Sequence, residues 1–349
     1  MSEQEARRPT INDVARHAGV SKSLVSLVMR SAPQVSDARR EAVLQAAREL
    51  GYRPNTVARS LVEGRTRTVG VVVSDLRNPW YVDILDGFRR VLKANGLRVL
   101  VGGGQLDGKV DPGVAEAFID LRVEGLCVVG TLPYDEALAE AMKTVPAVVA
   151  SSHSYELPYT DSVVNDDEDG SRKATEHLIA LGHRKIAHIG GGPDGVAEAR
   201  RRGYETTMRA HGLADHIRVE LCDYDEPSGH VAAARLLASD DRPTAIVALN
   251  DLAGVGALSA ADDAGLAVPA DLSVVGYDNT ALAALGHLSL SSVDPRSVEI
   301  GELAARRVLA RLNGDADAAK ESGSRDLIAP TLVVRGSTSA PRTGKDERP

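Results

Sequence analysis

The chain has 349 residues and is 43% hydrophobic, enough apolar material for at least two folding units. No apolar run approaches the ~20 residues a membrane helix needs, and the polar, charged stretch Met1 to Thr10 is unlike an export signal, so a cytoplasmic protein without a membrane segment is expected. The formal net charge of -8 conceals an asymmetry, because residues 1–67 carry 12 Lys and Arg against 7 Asp and Glu, leaving a head of about +5 on a body of about -13. Such a head is suited to phosphate and such a body is not. Cys127 and Cys222 sit among strand-like apolar residues without nearby His or Cys, so they read as buried thiols rather than as a disulfide or zinc site.

Thr10 precedes Ile11, Val14, Ala15 and Ala18, the spacing of one helical face, and Asp13 complements the helix N-terminus. Gly19 stops this helix. Ser21 caps the next, which turns Leu24, Val25 and Val28 inward and Lys22, Ser23 and Ser26 outward. Two short helices joined by a Gly-containing turn make a helix-turn-helix. A third helix begins after Ser36, carries Val43, Leu44, Ala47 and Leu50, and ends at Gly51 before Pro54. The second helix, short and polar outside, suits the DNA major groove, with a plain three-helix bundle as the alternative. Next, Asn55 can cap about two turns of helix that Gly64 ends, a length marginal in water on its own.

The runs Thr10-Ile11-Asn12-Asp13-Val14-Ala15, Ala18-Gly19-Val20-Ser21, Gly51-Tyr52-Arg53-Pro54-Asn55 and Ala58 to Leu61 resemble the head-piece of the lactose/galactose repressor family. The resemblance implies that the short helix is a hinge that folds on the operator beside its mate from a second subunit and wedges Leu61 into the minor groove. It further implies Lys22, Ser23 and Ser26 as base readers, with Thr10, Ser21, Arg30, Asn55 and Ala58 also at the DNA. Leu24, Leu27 and Arg30 stand where Thr, Arg and Asn are usual in the family.

From Thr68 strands and helices alternate. Val69 to Val73, Val99 to Val101, Leu126 to Val129 and Ala147 to Val149 read as strands, with a helix from Tyr81 to Ala94. The pattern restarts near Asp167: helix Glu168 to Leu181, strand Lys185 to Ile189, helix Ala197 to His211, strands Ala245 to Leu249 and Ser273 to Tyr277. This predicts an α/β body of two lobes with parallel sheets, and ligands in such sheets bind at the strands' carboxyl ends. The motifs Asn78-Pro79-Trp80-Tyr81, Asn165-Asp166, Leu181-Gly182-His183-Arg184-Lys185-Ile186, Arg200 with Gly203-Tyr204, Ala248-Leu249-Asn250-Asp251 and Val275-Gly276-Tyr277-Asp278 extend the resemblance through the body. The implied fold is a periplasmic-binding-protein-like pair of lobes with three chain crossings. The implied effector, most commonly a sugar, would meet Arg200, Asn250 and Asp278 and stack on Trp80 or Tyr81. Asn250 or Asp251 equally suits capping the helix that follows.

The expected domains are a head-piece at 1–54, a hinge and linker at 55–67, and a body at 68–340. Lobe 1 takes about 68–166 and 295–326, and lobe 2 about 167–294 and 327–340. Residues 313–326 read as a polar surface loop, and the tail, from Ser337 or at least over 341–349, as disordered. That tail lacks leucine heptads, so a homodimer rather than a coiled-coil tetramer is expected. No cofactor and no metal are expected. An enzyme is disfavoured because Gly102-Gly103-Gly104 and Gly190-Gly191-Gly192 complete neither a dinucleotide fingerprint nor a P-loop, and no nucleophile elbow occurs. A periplasmic sugar-binding protein would need an export signal and no head-piece.

Overall fold

A computed structural model describes residues 9–30, 32–52, 64–103, 112–152, 157–192, 194–314 and 323–342. The chain divides into two compact units, Met1–Thr66 and Arg67–Pro349.

In the first unit, helices α1 (Ile11–His17), α2 (Lys22–Met29) and α3 (Asp37–Glu49) enclose Val14, Val25, Val28, Val43, Ala46 and Ala47. The Asp13 carboxylate fixes the start of α1 by accepting from the Thr10 backbone N–H (2.8 Å) and hydroxyl (2.6 Å). Gly19, at φ 64°, makes the turn into α2, a conformation strained for any residue with a Cβ. Ser21 caps α2 by accepting from the Leu24 N–H at 3.2 Å. The hinge positions Asn55, Ala58 and Leu61 lie outside the described residues.

The described strands of the second unit form two six-stranded sheets. The first holds β1 (Thr68–Val73), β2 (Arg98–Gly103), β3 (Gly125–Val129), β4 (Ala147–Ala150), β5 (Asp161–Asn165) and β11 (Arg325–Ile328), all parallel. Its order is β2-β1-β3-β4-β5-β11. The second holds β6 (Ile186–Ile189), β7 (Arg218–Glu220), β8 (Ala245–Ala248), β9 (Ser273–Tyr277), β10 (Ser291–Asp294) and β12 (Thr331–Val333), in the order β7-β6-β8-β9-β10-β12. Only β12 is antiparallel there. Both orders reverse direction once near one edge, at β1/β3 and at β6/β8, and such switch points open a crevice at the strands' carboxyl ends.

Helices cover both faces of each sheet: α4 (Trp80–Ala94), α5 (Pro112–Asp120), α6 (Glu136–Thr144) and α11 (Ser297–Leu312) on the first, α7 (Asp167–Ala180), α8 (Gly195–Ala210), α9 (Glu226–Leu237) and α10 (Asp251–Asp263) on the second. Gly87 lets α4 and α11 touch backbone to backbone, since a Cβ there would lie 2.1 Å from the Val298 carbonyl oxygen. The chain passes between the lobes three times, at Asn165 to Asp167, Asp294 to Ser297 and Ile328 to Thr331.

Two expectations need correction. Arg325 and Asp326, assigned to a surface loop, open strand β11, where Asp326 is held by Arg307 at 2.9 Å. The segment Ser337 to Arg342 is ordered along the second sheet rather than disordered. The buried Ser337 hydroxyl donates to the Val274 carbonyl (2.6 Å) and accepts from the Ser291 N–H (2.8 Å), while the Ser339 carbonyl meets His183 Nε2 (2.9 Å). Among the described residues no helix is long and apolar enough to cross a membrane.

Candidate functional site

The carboxyl ends of both sheets face one cavity of about 440 Å³. From the first lobe come Ser74, Asp75, Arg77, Asn78, Trp80 and Tyr81 after β1, with Gly130 and Thr131 after β3 and Ser151 after β4. From the second come Val196, Arg200, Asp223, Tyr224, Asp225 and Asp278, while Asn165 stands at the crossing. The cavity size and its mixed lining suit a small organic ligand.

Its floor is a buried ionic network. The Arg200 guanidinium donates from Nε to Asp167 (2.8 Å) and from a terminal nitrogen to the Leu249 carbonyl (2.6 Å), and lies 3.5 Å from the Asp278 carboxylate. It also sits 3.5 Å above the Tyr277 ring. Burial alone would lower the Arg200 pKa, but the carboxylates of Asp167 and Asp278 more than offset this and raise it. Asn165 donates to Asp167 (2.9 Å) and to the Tyr277 hydroxyl (3.1 Å), joining the end of β5 in one lobe to β9 in the other. Asn78, from the first lobe, lines the cavity together with Asp278 of the second.

Asp278 is held at φ 101°, a strained backbone for a residue with a Cβ, by its N–H donating to the Val293 carbonyl at 2.8 Å. Burial pushes its carboxyl up to about 8, against the lowering influence of Arg200. A folded-state pKa raised above the unfolded value means that the native state binds the extra proton, so stability is lost as pH rises toward 8. Asp251, pushed up to about 6, and the histidines that burial lowers, His188 to about 4 together with His183 and His177, change stability mainly below pH 7, the histidines with the opposite sign as their unfolded-state imidazoles lose protons near 6.5. Between pH 7 and 8 the ligand-free protein is therefore expected to lose up to about 1.4 kcal/mol per pH unit through this group, read as the difference between the parent and Asp278→Asn. Urea midpoints measured across that window should show the slope, and Asp278→Asn should flatten it. An unchanged slope in the variant would assign the titration elsewhere.

The sequence-assigned effector residues are distributed unevenly. Trp80, Tyr81, Arg200 and Asp278 line the cavity. Tyr81 spends its hydroxyl on Ser74 and lies against Gly130, where a Cβ would come within 2.4 Å of its oxygen. Trp80 packs edge-on to Tyr81, and its indole Nε1 is buried without a hydrogen-bond partner. Asn250 is absent from the lining. Its side chain accepts from the Ala253 N–H (2.8 Å) to cap α10 and donates to the Tyr224 carbonyl (3.1 Å), so it braces the wall from behind. Asp251 likewise serves the fold, accepting from Thr280 and Ser292.

The sequence reading did not single out Ser74, Asp75, Arg77, Thr131, Ser151 or the segment Asp223 to Asp225. All of them follow strand ends, and that rule applied to every strand would have found them.

In the head, Lys22 and Ser23 are exposed on the first turn of α2 and Ser26 is half-buried one turn later, so the three share the outer face. Thr10 and Ser21 are committed to the caps of α1 and α2. Arg30 is exposed at the end of α2, with its Nε donating to the Ser26 carbonyl at 3.2 Å.

A helix-turn-helix head followed by two doubly wound lobes around a polar cleft defines a ligand-responsive DNA-binding regulator. Residues 10–55 match the description "Bacterial regulatory proteins, lacI family", and residues 175–338 match "Periplasmic binding protein-like domain". The HTH-type transcriptional repressor PurR of Erwinia tasmaniensis is 32% identical over 95% of this chain and 97% of its own length. Among solved structures, the lac repressor dimer bound to operator and the anti-inducer ONPF has a TM-score of 0.78 at 29% identity, covering 96% of this chain and 100% of that one. A complex of the transcriptional regulator CelR with cellobiose has a TM-score of 0.68 at 31% identity, covering 95% of this chain and 100% of that one. The chain belongs to the lacI family of bacterial regulatory proteins, and its relatives are transcriptional regulators rather than enzymes.

Proposed function

We propose that the protein is a cytoplasmic transcriptional repressor that binds a palindromic operator as a homodimer and releases or tightens its grip when a sugar occupies the interlobe cleft. The observation that carries this reading is the cavity walled by the strand ends of both lobes, on a chain that also has a helix-turn-helix head. A ligand touching Trp80 from one lobe and Arg200 and Asp278 from the other binds one arrangement of the lobes more strongly than another, which is the requirement for coupling two sites. Strand β1 begins at Thr68, directly after the linker, so lobe movement is transmitted along the chain to residues 55–67.

Support comes from the relatives. One is a lac repressor seen as a dimer on operator, and another is a regulator complexed with cellobiose. Lys22, Ser23 and Ser26 are assigned to base edges, with Thr10, Ser21 and Arg30 near the phosphates. Asn55 joins the backbone contacts, Ala58 lies at the DNA, and Leu61 is assigned to the minor groove at the dyad.

Footprinting on the chromosomal region around the gene tests the assembly, with a palindromic protected site expected and direct repeats excluding paired hinges. Lys22→Ala or Ser23→Ala is expected to change base preference at one position in each half-site, by about 1–3 kcal/mol per contact. Uniform weakening on every sequence would reassign these residues to the backbone. Sugar titrations of the protein–operator complex test the switch.

A further inference from the structure

The cleft is built against negative charge. A phosphate is ordinarily held by free N–H groups at a helix N-terminus or by an available guanidinium or ammonium group. Three helices begin at this cavity, and each first turn is already occupied by the chain itself. Asn78 accepts from the Trp80 N–H (3.0 Å), Asp194 from Val196 (3.1 Å) and Ala197 (2.9 Å), and Asp225 from Ser228 (2.9 Å). Two of those three caps are carboxylates, placing negative charge where an anion would otherwise find the positive end of the helix dipole.

The cations are committed as well. Among the described lining residues the basic side chains are Arg77 and Arg200, against the carboxylates of Asp75, Asp223 and Asp225, with the Asp278 carboxyl kept mainly protonated by burial near neutral pH. Asp75 chelates Arg77 at 2.6–3.0 Å. Arg200 is taken by Asp167, Asp278 and the Leu249 carbonyl. The Asp223 and Asp225 carboxylates, exposed on the second lobe's side, leave the entrance net acidic.

What the cleft still offers a ligand is neutral. The indole N–H of Trp80, only 7% exposed and without a partner, needs an acceptor. Thr131 adds a hydroxyl at the end of β3, and the Ser151 hydroxyl at the end of β4, which donates to Asn165 at 3.3 Å, can still accept. Hydroxyl groups, which donate and accept without carrying charge, match this set.

We propose that the cleft admits an uncharged polyhydroxylated ligand and rejects phosphate- or carboxylate-bearing derivatives of the same compound. The regulator then senses the sugar before phosphorylation and is blind to the product. This rests on the sugar reading of the cleft given above.

The test uses the intact protein at constant ionic strength, with thermal shifts followed by calorimetric titration against matched pairs. Suitable pairs are glucose and glucose 6-phosphate, ribose and ribose 5-phosphate, and cellobiose and its phosphorylated form, within a wider panel of pentoses, hexoses and disaccharides. At least one uncharged member is expected to bind, with its phosphorylated counterpart weaker by roughly 100-fold or more, the penalty of an unpaired desolvated charge. In the double variant Asp223→Asn/Asp225→Asn that discrimination should shrink by roughly 10-fold. A sugar phosphate binding as tightly as its parent overturns the charge rule while keeping the sugar-responsive reading. Binding by neither member of any pair removes the sugar reading, and the charge rule with it. Discrimination unchanged in the double variant shows that shape rather than charge excludes the phosphate, and also overturns the proposal.

Discussion

Removal of residues 1–66 is expected to abolish operator binding and to leave a folded, ligand-competent body. The boundary between Thr66 and Arg67 is where the chain separates into two compact units, and both six-stranded sheets begin after it. The excised head takes with it 11 of the 12 Lys and Arg of the basic segment, while the remaining body carries a large excess of acidic residues. Phosphate repulsion then opposes even non-specific association, which depends on neutralising phosphates. Specific binding is typically 10³–10⁷-fold tighter than non-specific binding, and the deletion should lose at least this range. Mobility shifts at physiological salt and calorimetric titration with a sugar that binds the intact protein measure the two halves of the expectation. A headless chain that still shifted operator DNA would place a DNA-binding surface on the lobes.

The physics of periodicity explains which parts of this fold were legible. Strands such as β1 and β3 are unbroken apolar runs, and helix α4 has a clean apolar face closing on Gly96, so each declares itself locally. Strand β5 was not assigned because its sequence, Asp-Ser-Val-Val-Asn, begins with a carboxylate. That carboxylate is 2% exposed and is held by a bidentate Arg311 at 2.7 and 2.8 Å, a partner 150 residues away that no local window contains. The C-terminal segment misled for a related reason. Ser337 and Ser339 are polar and flank Pro and Gly, so composition argues for disorder, but hydrogen bonds to Val274, Ser291 and His183 tie them to the second sheet.

Within the cleft, single residues and their neighbourhood differed in how far they could be read. Arg200 and Asp278 were accessible because each sits beside a recognisable motif, although Asp167, which completes their network, has no sequence feature that sets it apart from Asp166. Asp223 to Asp225 follow β7, a strand of three residues beginning with Arg218, too short and too charged to show a period. Asn250 illustrates a limit of type rather than length. An Asn after a strand can face a ligand or cap the following helix, and only the position of the Ala253 N–H at 2.8 Å decides between them.

Arg200→Met is expected to destabilise the body by about 3–5 kcal/mol, the range seen when one member of a buried ion pair is removed. The side chain is only 4% exposed, and its removal leaves the Asp167 carboxylate, itself 4% exposed, without a counter-charge and the Leu249 carbonyl without its donor, while the Asp278 carboxyl, already pushed up to about 8 by burial, is left protonated. Domains of this kind have about 5–15 kcal/mol in total, so such a loss should be visible as a large drop in the urea midpoint. Loss of effector binding alone is a poor witness, because a partly unfolded body binds nothing. The discriminating comparison is with Asp278→Asn, which keeps the 2.8 Å Arg200–Asp167 pair and removes a carboxyl that burial already pushes up to about 8. This variant is expected to unfold near the parent midpoint at pH 7. The triple variant Arg200→Met/Asp167→Asn/Asp278→Asn should recover much of the stability lost in Arg200→Met, since no uncompensated charge remains buried, yet it should not regain a response to any sugar. If Arg200→Met alone unfolded at the parent midpoint, the network would not be holding the floor of the cleft, and the strained backbone at Asp278 would have to be maintained by its N–H bond to Val293 and the packing around it.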